Sequence, residues 1–197
     1  MNWHSRLLIK LIVLSVITMG VLVCPQAFGQ RMKLHNEAYD VVYNYQTVCP
    51  EIVTWVCHPE SIGNLNRKEA GSFKVDKRVP KPRATTKAYV NSGYHRGHLC
   101  PAADFTANIS LYKTTYFLTN VCPMVPELNM GRWKVSENIT RQLANVWGGV
   151  KVKVYTFTDS VGRRRLPRSS VTIPSRYCKQ VYTMDDSLLI EWSYDNN

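Results

Sequence analysis

The residues best suited to chemistry lie at Tyr94-His95-Arg96-Gly97-His98-Leu99-Cys100-Pro101, where His95, Arg96, His98 and Cys100 fall within six positions. A neutral imidazole, with an unperturbed pKa of about 6.5, can take a proton from water at neutral pH. A neighbouring guanidinium can grip a phosphate through paired donors, and Gly97 permits a sharp turn or a close backbone approach. Some twenty residues on come Asn120-Val121-Cys122-Pro123, then Asn129-Met130-Gly131-Arg132-Trp133, then Glu137. Each has a plain structural reading: a lone histidine more often supports a fold than a reaction, and Asn129 stands where a helix N-cap belongs.

These groups need a scaffold, and the residue pattern supplies one. Residues 39–45 and 52–57 are β-branched and aromatic and read as a strand pair. Residues 61–86 are rich in Lys, Arg, Gly and Pro, with Phe73 and Val75 as anchors, and read mostly as loop. Residues 115–121 read as a strand ended by Cys122-Pro123, because proline denies the ladder a donor. From 131 to 146, Trp133, Ile139, Leu143 and Val146 return at near-helical spacing and Gly148-Gly149 supplies a stop. Residues 150–158 alternate as a half-exposed strand, and shorter strands are expected at 171–173 and 187–193. The fold class is therefore α+β, an antiparallel sheet with one main helix packed against it.

The chain has 197 residues, of which 45% are hydrophobic and 20% charged, so disordered, collagenous and low-complexity classes are excluded. Arg6 and Lys10, the apolar run 11–23 and Ala27-Phe28-Gly29 read as a signal peptide over residues 1–29, leaving 30–197 as one domain. The apolar run is too short for a span of roughly 18 to 20 residues, so a secreted or periplasmic protein without a membrane anchor is expected. Cleavage removes two basic residues and no acid, lowering the formal charge from +11 to +9. Such a balance suits a polyanionic partner but says nothing about chemistry. Lys151 and Lys153 on one strand, and Arg163-Arg164-Arg165 with Arg168, form basic runs that could track phosphates or merely meet solvent. Cys49, Cys57, Cys100, Cys122 and Cys178 remain after cleavage, and no CxxC pair points to a zinc ribbon or a thioredoxin-like site.

Taken together, His95-Arg96-Gly97-His98, Asn120, Pro123, Asn129, Trp133 and Glu137 resemble, in order and spacing, the DNA/RNA non-specific endonuclease family with a ββα-metal site, the group that includes endonuclease G. The likeness extends more loosely from Tyr39 to Lys179. It implies an endonuclease acting on DNA and RNA without strong sequence preference and leaving 5′-phosphates. His98 would be the general base, Arg96 a phosphate-side residue, Asn120 part of the catalytic group and Asn129 the ligand of Mg²⁺, or of Mn²⁺ or another divalent ion. Glu137 would hold water of that ion, and Arg67, Arg83 and Arg132 would touch substrate. The motif also implies that Cys100 and Cys122, on segments it draws together, form a disulfide, the other reading being two buried free thiols.

Two features depart from the family pattern. His95 stands where that pattern has an aspartate, and the chain ends sooner after Lys179. The alternatives are a weakly active or inactive nucleic-acid-binding protein of the same fold, and a zinc protein using His95, His98, Cys100 and Cys122. Oligomeric state is not legible.

Overall fold

Eight strands form in chain order: β1 (Arg31–His35), β2 (Asp40–Asn44), β3 (Cys49–Cys57), β4 (His95–His98), β5 (Val121–Met124), β6 (Val150–Phe157), β7 (Arg176–Tyr182) and β8 (Leu188–Asp195). Four helices accompany them: α1 (Arg67–Ala70), α2 (Ile109–Thr114), α3 (Pro126–Met130) and α4 (Arg132–Trp147). The computed structural model describes residues 31–159 and 163–197, so the expected leader at 1–29 and the head of the basic loop at Gly162 lie outside the described residues. Among the described residues no helix is long and apolar enough to cross a membrane.

Six strands form one sheet in the order β1-β2-β3-β6-β7-β8, and every pairing is antiparallel. The expected strand pair, the alternating strand at 150–158 and the strand near 187–193 are β2–β3, β6 and β8. At 171–173 there is only an isolated bridge between Arg165 and Thr172. Along β6, Val150, Val152 and Val154 are buried, and their period-2 placement turns Lys151 and Lys153 to the opposite face. The basic pair on β6 therefore lies away from α4, with Lys151 bonded to Asp186 at 2.9 Å.

Helix α4 covers the other face, though with a different stripe from the one its apolar residues suggest. Trp133, Ser136, Thr140 and Ala144 are buried, while Val146 is 77% exposed. Spacing of three to four residues still builds the inward face, but small and hydroxylated side chains form much of it. Ser136 and Thr140 satisfy their hydroxyls on the carbonyls of Trp133 and Ser136, at 2.7 and 2.8 Å. Gly148, in the left-handed region at φ 70°, ends the helix as expected.

A second, two-stranded sheet pairs β4 with β5. The expected strand at 115–121 is not formed. Residues 118–120 make a 3-10 turn and the strand begins at Val121, running through Pro123 rather than stopping at it. Pro123 can sit there because its outward carbonyl accepts from Tyr177 Oη at 2.7 Å and Asn196 Nδ2 at 3.0 Å. Its missing N–H faces the same outward side, where β4 needs no donor.

Candidate active site

Strand β4 is His95-Arg96-Gly97-His98 itself, and its register sets Gly97 against Cys122 and His98 against Val121. A Cβ on Gly97 would lie 2.7 Å from Met124 Cβ, so glycine is what allows the ribbon to pack. Alternation sends Arg96 and His98 to one side, where both meet Phe73. The His98 ring centroid lies 5.1 Å from Phe73 and 4.9 Å from Tyr116, and the Arg96 guanidinium lies 5.6 Å from Phe73 and 5.7 Å from Tyr89. One Arg96 amino group donates to the Thr86 carbonyl at 2.9 Å, while its Nε has no hydrogen-bond partner among the described residues.

Helices α3 and α4 bring the second group to this ribbon. Trp133, 1% exposed, donates its indole N–H to the His98 carbonyl at 3.1 Å. Asn129 is the fourth residue of the short α3, half-buried, with Nδ2 3.2 Å from His95 Nδ1. It is therefore not an N-cap: Gly131 precedes α4 and makes no side-chain cap bond. Glu137 stands on α4 one turn beyond Trp133. Burial pushes its carboxyl up, against the opposing pull of Lys179 and Arg141 and with a further push from Asp104.

Asn120, expected in the catalytic group, is fully buried. Its carboxamide accepts from the Cys100 N–H at 2.9 Å and donates to the carbonyls of Cys100 and Thr115 at 2.8 and 2.9 Å. These bonds tie the segment after His98 to the segment before β5. The expected Cys100–Cys122 disulfide is not formed, and both are buried free thiols. Cys122 lies opposite Gly97 and points toward the Pro50 carbonyl at 3.8 Å, whereas Cys100 lies past the end of β4. Asn120 thus makes the cross-link expected of the disulfide, through three hydrogen bonds.

Of the expected substrate-binding arginines, Arg132 lies exposed with its guanidinium 5.5 Å from the Tyr194 ring, and Arg83 donates to the Val79 carbonyl at 2.7 Å. The side chain of Arg67 lies outside the described residues. Among the described residues no three of His, Cys, Asp and Glu converge as metal ligands, so the four residues of the zinc alternative do not form a cluster. The oxygen donors the motif offers are instead the Asn129 carboxamide and the Glu137 carboxylate, both partly exposed. That suits Mg²⁺, which favours hard oxygen and keeps much of its hydration.

The family pattern of the DNA/RNA non-specific endonucleases matches residues 21–193. The chain belongs to this family. It is 34% identical over 154 residues to human mitochondrial endonuclease G, covering 73% of this chain and 52% of that relative. A nuclease of Nostoc is 29% identical over 150 residues, covering 75% and 53%, and the mitochondrial nuclease of Saccharomyces cerevisiae is 35% identical over 121 residues, covering 60% and 37%. The chain spans about half, or less, of the length of these relatives. The fold is similar to that in a crystal structure of the EndoG/EndoGI complex, with a TM-score of 0.74 at 20% identity, covering 84% of this chain and 74% of the other.

Behind the motif lies a charged group that the sequence reading passed over. Asp104, fully buried, accepts from Arg141 at 2.9 Å and from the Trp55 indole at 2.9 Å. Lys179, also fully buried, donates to Ser136 Oγ at 3.0 Å with its ammonium 3.9 Å from the Trp133 ring centroid. Arg141 had a signal, since it follows Glu137 by four residues on a helix. Lys179 had little, because a lysine within a strand ordinarily meets solvent.

Proposed function

We propose that the chain is a divalent-metal-dependent endonuclease that hydrolyses phosphodiester bonds of DNA and RNA without reading sequence, leaving 5′-phosphates, with His98 as general base. The observation that carries this reading is the Trp133–His98 bond, which fixes the helix bearing Glu137 to the strand bearing His98. A base held in one place can take the proton of a water as its oxygen bonds to phosphorus and the P–O3′ bond breaks, a contribution of roughly 10²–10⁴ in rate.

Asn129 would hold Mg²⁺ through its side-chain oxygen. When bound, the ion supplies charge stabilisation to the transition state and the leaving oxygen. Glu137 would accept hydrogen bonds from the hydration water of that ion. Arg96, wedged between two rings, presents its remaining N–H groups to a phosphate oxygen. Arg67, Arg83 and Arg132 would add phosphate contacts, which carry affinity but no sequence information. The pattern at 1–29 supports export to a secreted or periplasmic location, checked by the mass of the mature protein, which should begin at Gln30.

The test is plasmid nicking and RNA degradation with Mg²⁺ and with EDTA. His98→Ala should lose at least about 10² of the Mg²⁺-dependent rate, with circular dichroism unchanged. Binding of DNA without cutting by the unaltered protein would replace the enzyme reading with a nucleic-acid-binding one.

A further inference from the structure

His95 is the one residue of the motif that departs from its family, and it makes the one side-chain hydrogen bond recorded for Asn129 among the described residues. We infer that His95 is a positioning residue which selects the orientation of the Asn129 carboxamide and so turns its oxygen toward the cation site. The inference rests on the reading of Asn129 as the metal ligand.

A carboxamide has two ends of nearly equal size and opposite character: the oxygen accepts and the nitrogen donates. Only the oxygen can serve a cation, so an amide free to flip presents the wrong end in part of the population. Here Nδ2 faces His95 Nδ1 at 3.2 Å, and planarity directs Oδ1 elsewhere. For Nδ2–H to donate, Nδ1 must be the acceptor, which places the imidazole proton on Nε2. Both partners sit on anchored backbone. His95 pairs with Met124 in the β4–β5 ladder, and the Asn129 N–H bonds the Val125 carbonyl at 3.0 Å. A hydrogen-bond acceptor is therefore what position 95 must supply. An aspartate can only accept when ionised, and an imidazole can accept at Nδ1, so two unlike side chains meet one requirement.

The experiment uses the full chain with His95→Asp, which keeps an acceptor, His95→Leu, which keeps bulk without one, and Asn129→Ala. Mg²⁺ alone is titrated calorimetrically, and the Asn129 side-chain amide is followed by ¹⁵N NMR, its signal assigned by loss in Asn129→Ala. A hydrogen bond of about 1.4 kcal/mol corresponds to a tenfold change in affinity. His95→Leu should accordingly weaken Mg²⁺ binding about tenfold and move the Asn129 amide signal, while His95→Asp should stay within about threefold of the unaltered protein.

Equal Mg²⁺ affinity in His95→Leu and the unaltered protein overturns the inference, as does loss in both histidine variants alike. If Asn129→Ala abolishes Mg²⁺ binding while His95→Leu does not, the inference alone falls and the metal-ligand reading stands. If Asn129→Ala binds Mg²⁺ normally, both fall.

Discussion

Two buried carboxylates, each beside an arginine, titrate in opposite directions. Asp76 accepts from Arg78 Nε and Nη2 at 2.9 and 2.7 Å, from the Arg78 N–H at 3.1 Å and from the Thr119 hydroxyl at 3.0 Å. Burial pushes its carboxyl up, but these bonds together outweigh burial and hold it below the usual carboxylate range. Asp104 has Arg141 and Trp55, and there burial prevails and the carboxyl is raised. The difference is access to water and donor count. Arg78 is 43% exposed along its side chain and Arg141 only 17%. The first pair is a clasp, with Arg78 also donating to the His35 carbonyl and the Asn36 side chain, tying the β1–β2 turn to the approach to β5. The second belongs to a charged group behind Glu137, where ionisation is costly. Perturbation of that kind gathers at functional sites.

Removing Asp104 gives the largest expected effect. Asp104→Ala strands a buried guanidinium, and such breaks cost about 3–5 kcal/mol, measured as the loss of unfolding free energy in urea. A loss below about 1 kcal/mol would mean that the arginine relaxes to water and that the two carboxylates do not differ in this way.

Lys179 tests the electrostatics of that group directly. Burial lowers its pKa from 10.5 to about 8, although Glu137 and Asp104 pull it upward. Between those values the unfolded chain holds the proton and the folded chain does not, so folding stability contributed by this group rises with pH. At 1.36 kcal/mol per unit, the unaltered protein should gain about 3 kcal/mol over Lys179→Met between pH 8 and 10.5. The difference between the two proteins is the quantity to measure, because tyrosines and cysteines whose protons burial retains in the folded state lose them in this range once unfolded, and affect both proteins alike. A flat difference would show that the ammonium is as well solvated by its neighbours as by water.

Asp76→Asn should have the smallest effect, a loss of roughly 1–3 kcal/mol at pH 7, since a buried, hydrogen-bonded carboxylate is replaced by a neutral amide. A carboxyl depressed in the folded state stabilises above its unfolded pKa near 3.8, and that contribution fades as pH falls through the folded value. Melting curves of both proteins should therefore converge in acid. A difference that instead widened as pH fell would place Asp76 in the same class as Asp104, whose carboxyl is raised.

The sequence made the periodic and the stoichiometric parts of this molecule legible, and the geometric parts much less so. Strand β6 and helix α4 announce themselves because alternation and near-helical spacing are properties of the chain alone. Residues 115–121 mislead, since their strand-forming side chains are overridden by the buried Asn120 network, which needs a turn there. Strand β7 goes unseen because its inward face carries Lys179, and a buried lysine has meaning only once Glu137, Ser136 and Trp133 surround it. In the site, the order and spacing of His98, Asn129 and Glu137 are visible in one dimension. That the Asn120 carboxamide is bonded to backbone on both sides, and that His95 faces Asn129, depends on side-chain direction, which spacing does not encode.

Pro123 gives the β4–β5 ribbon a further property. The outer edge of a two-stranded sheet is ordinarily a template on which another chain can add a strand and begin to aggregate. On this ribbon that edge carries no amide at Pro123, and its carbonyl is already occupied by Tyr177 and Asn196. The strand pair that bears His98 is thus closed to intermolecular strand addition along that edge.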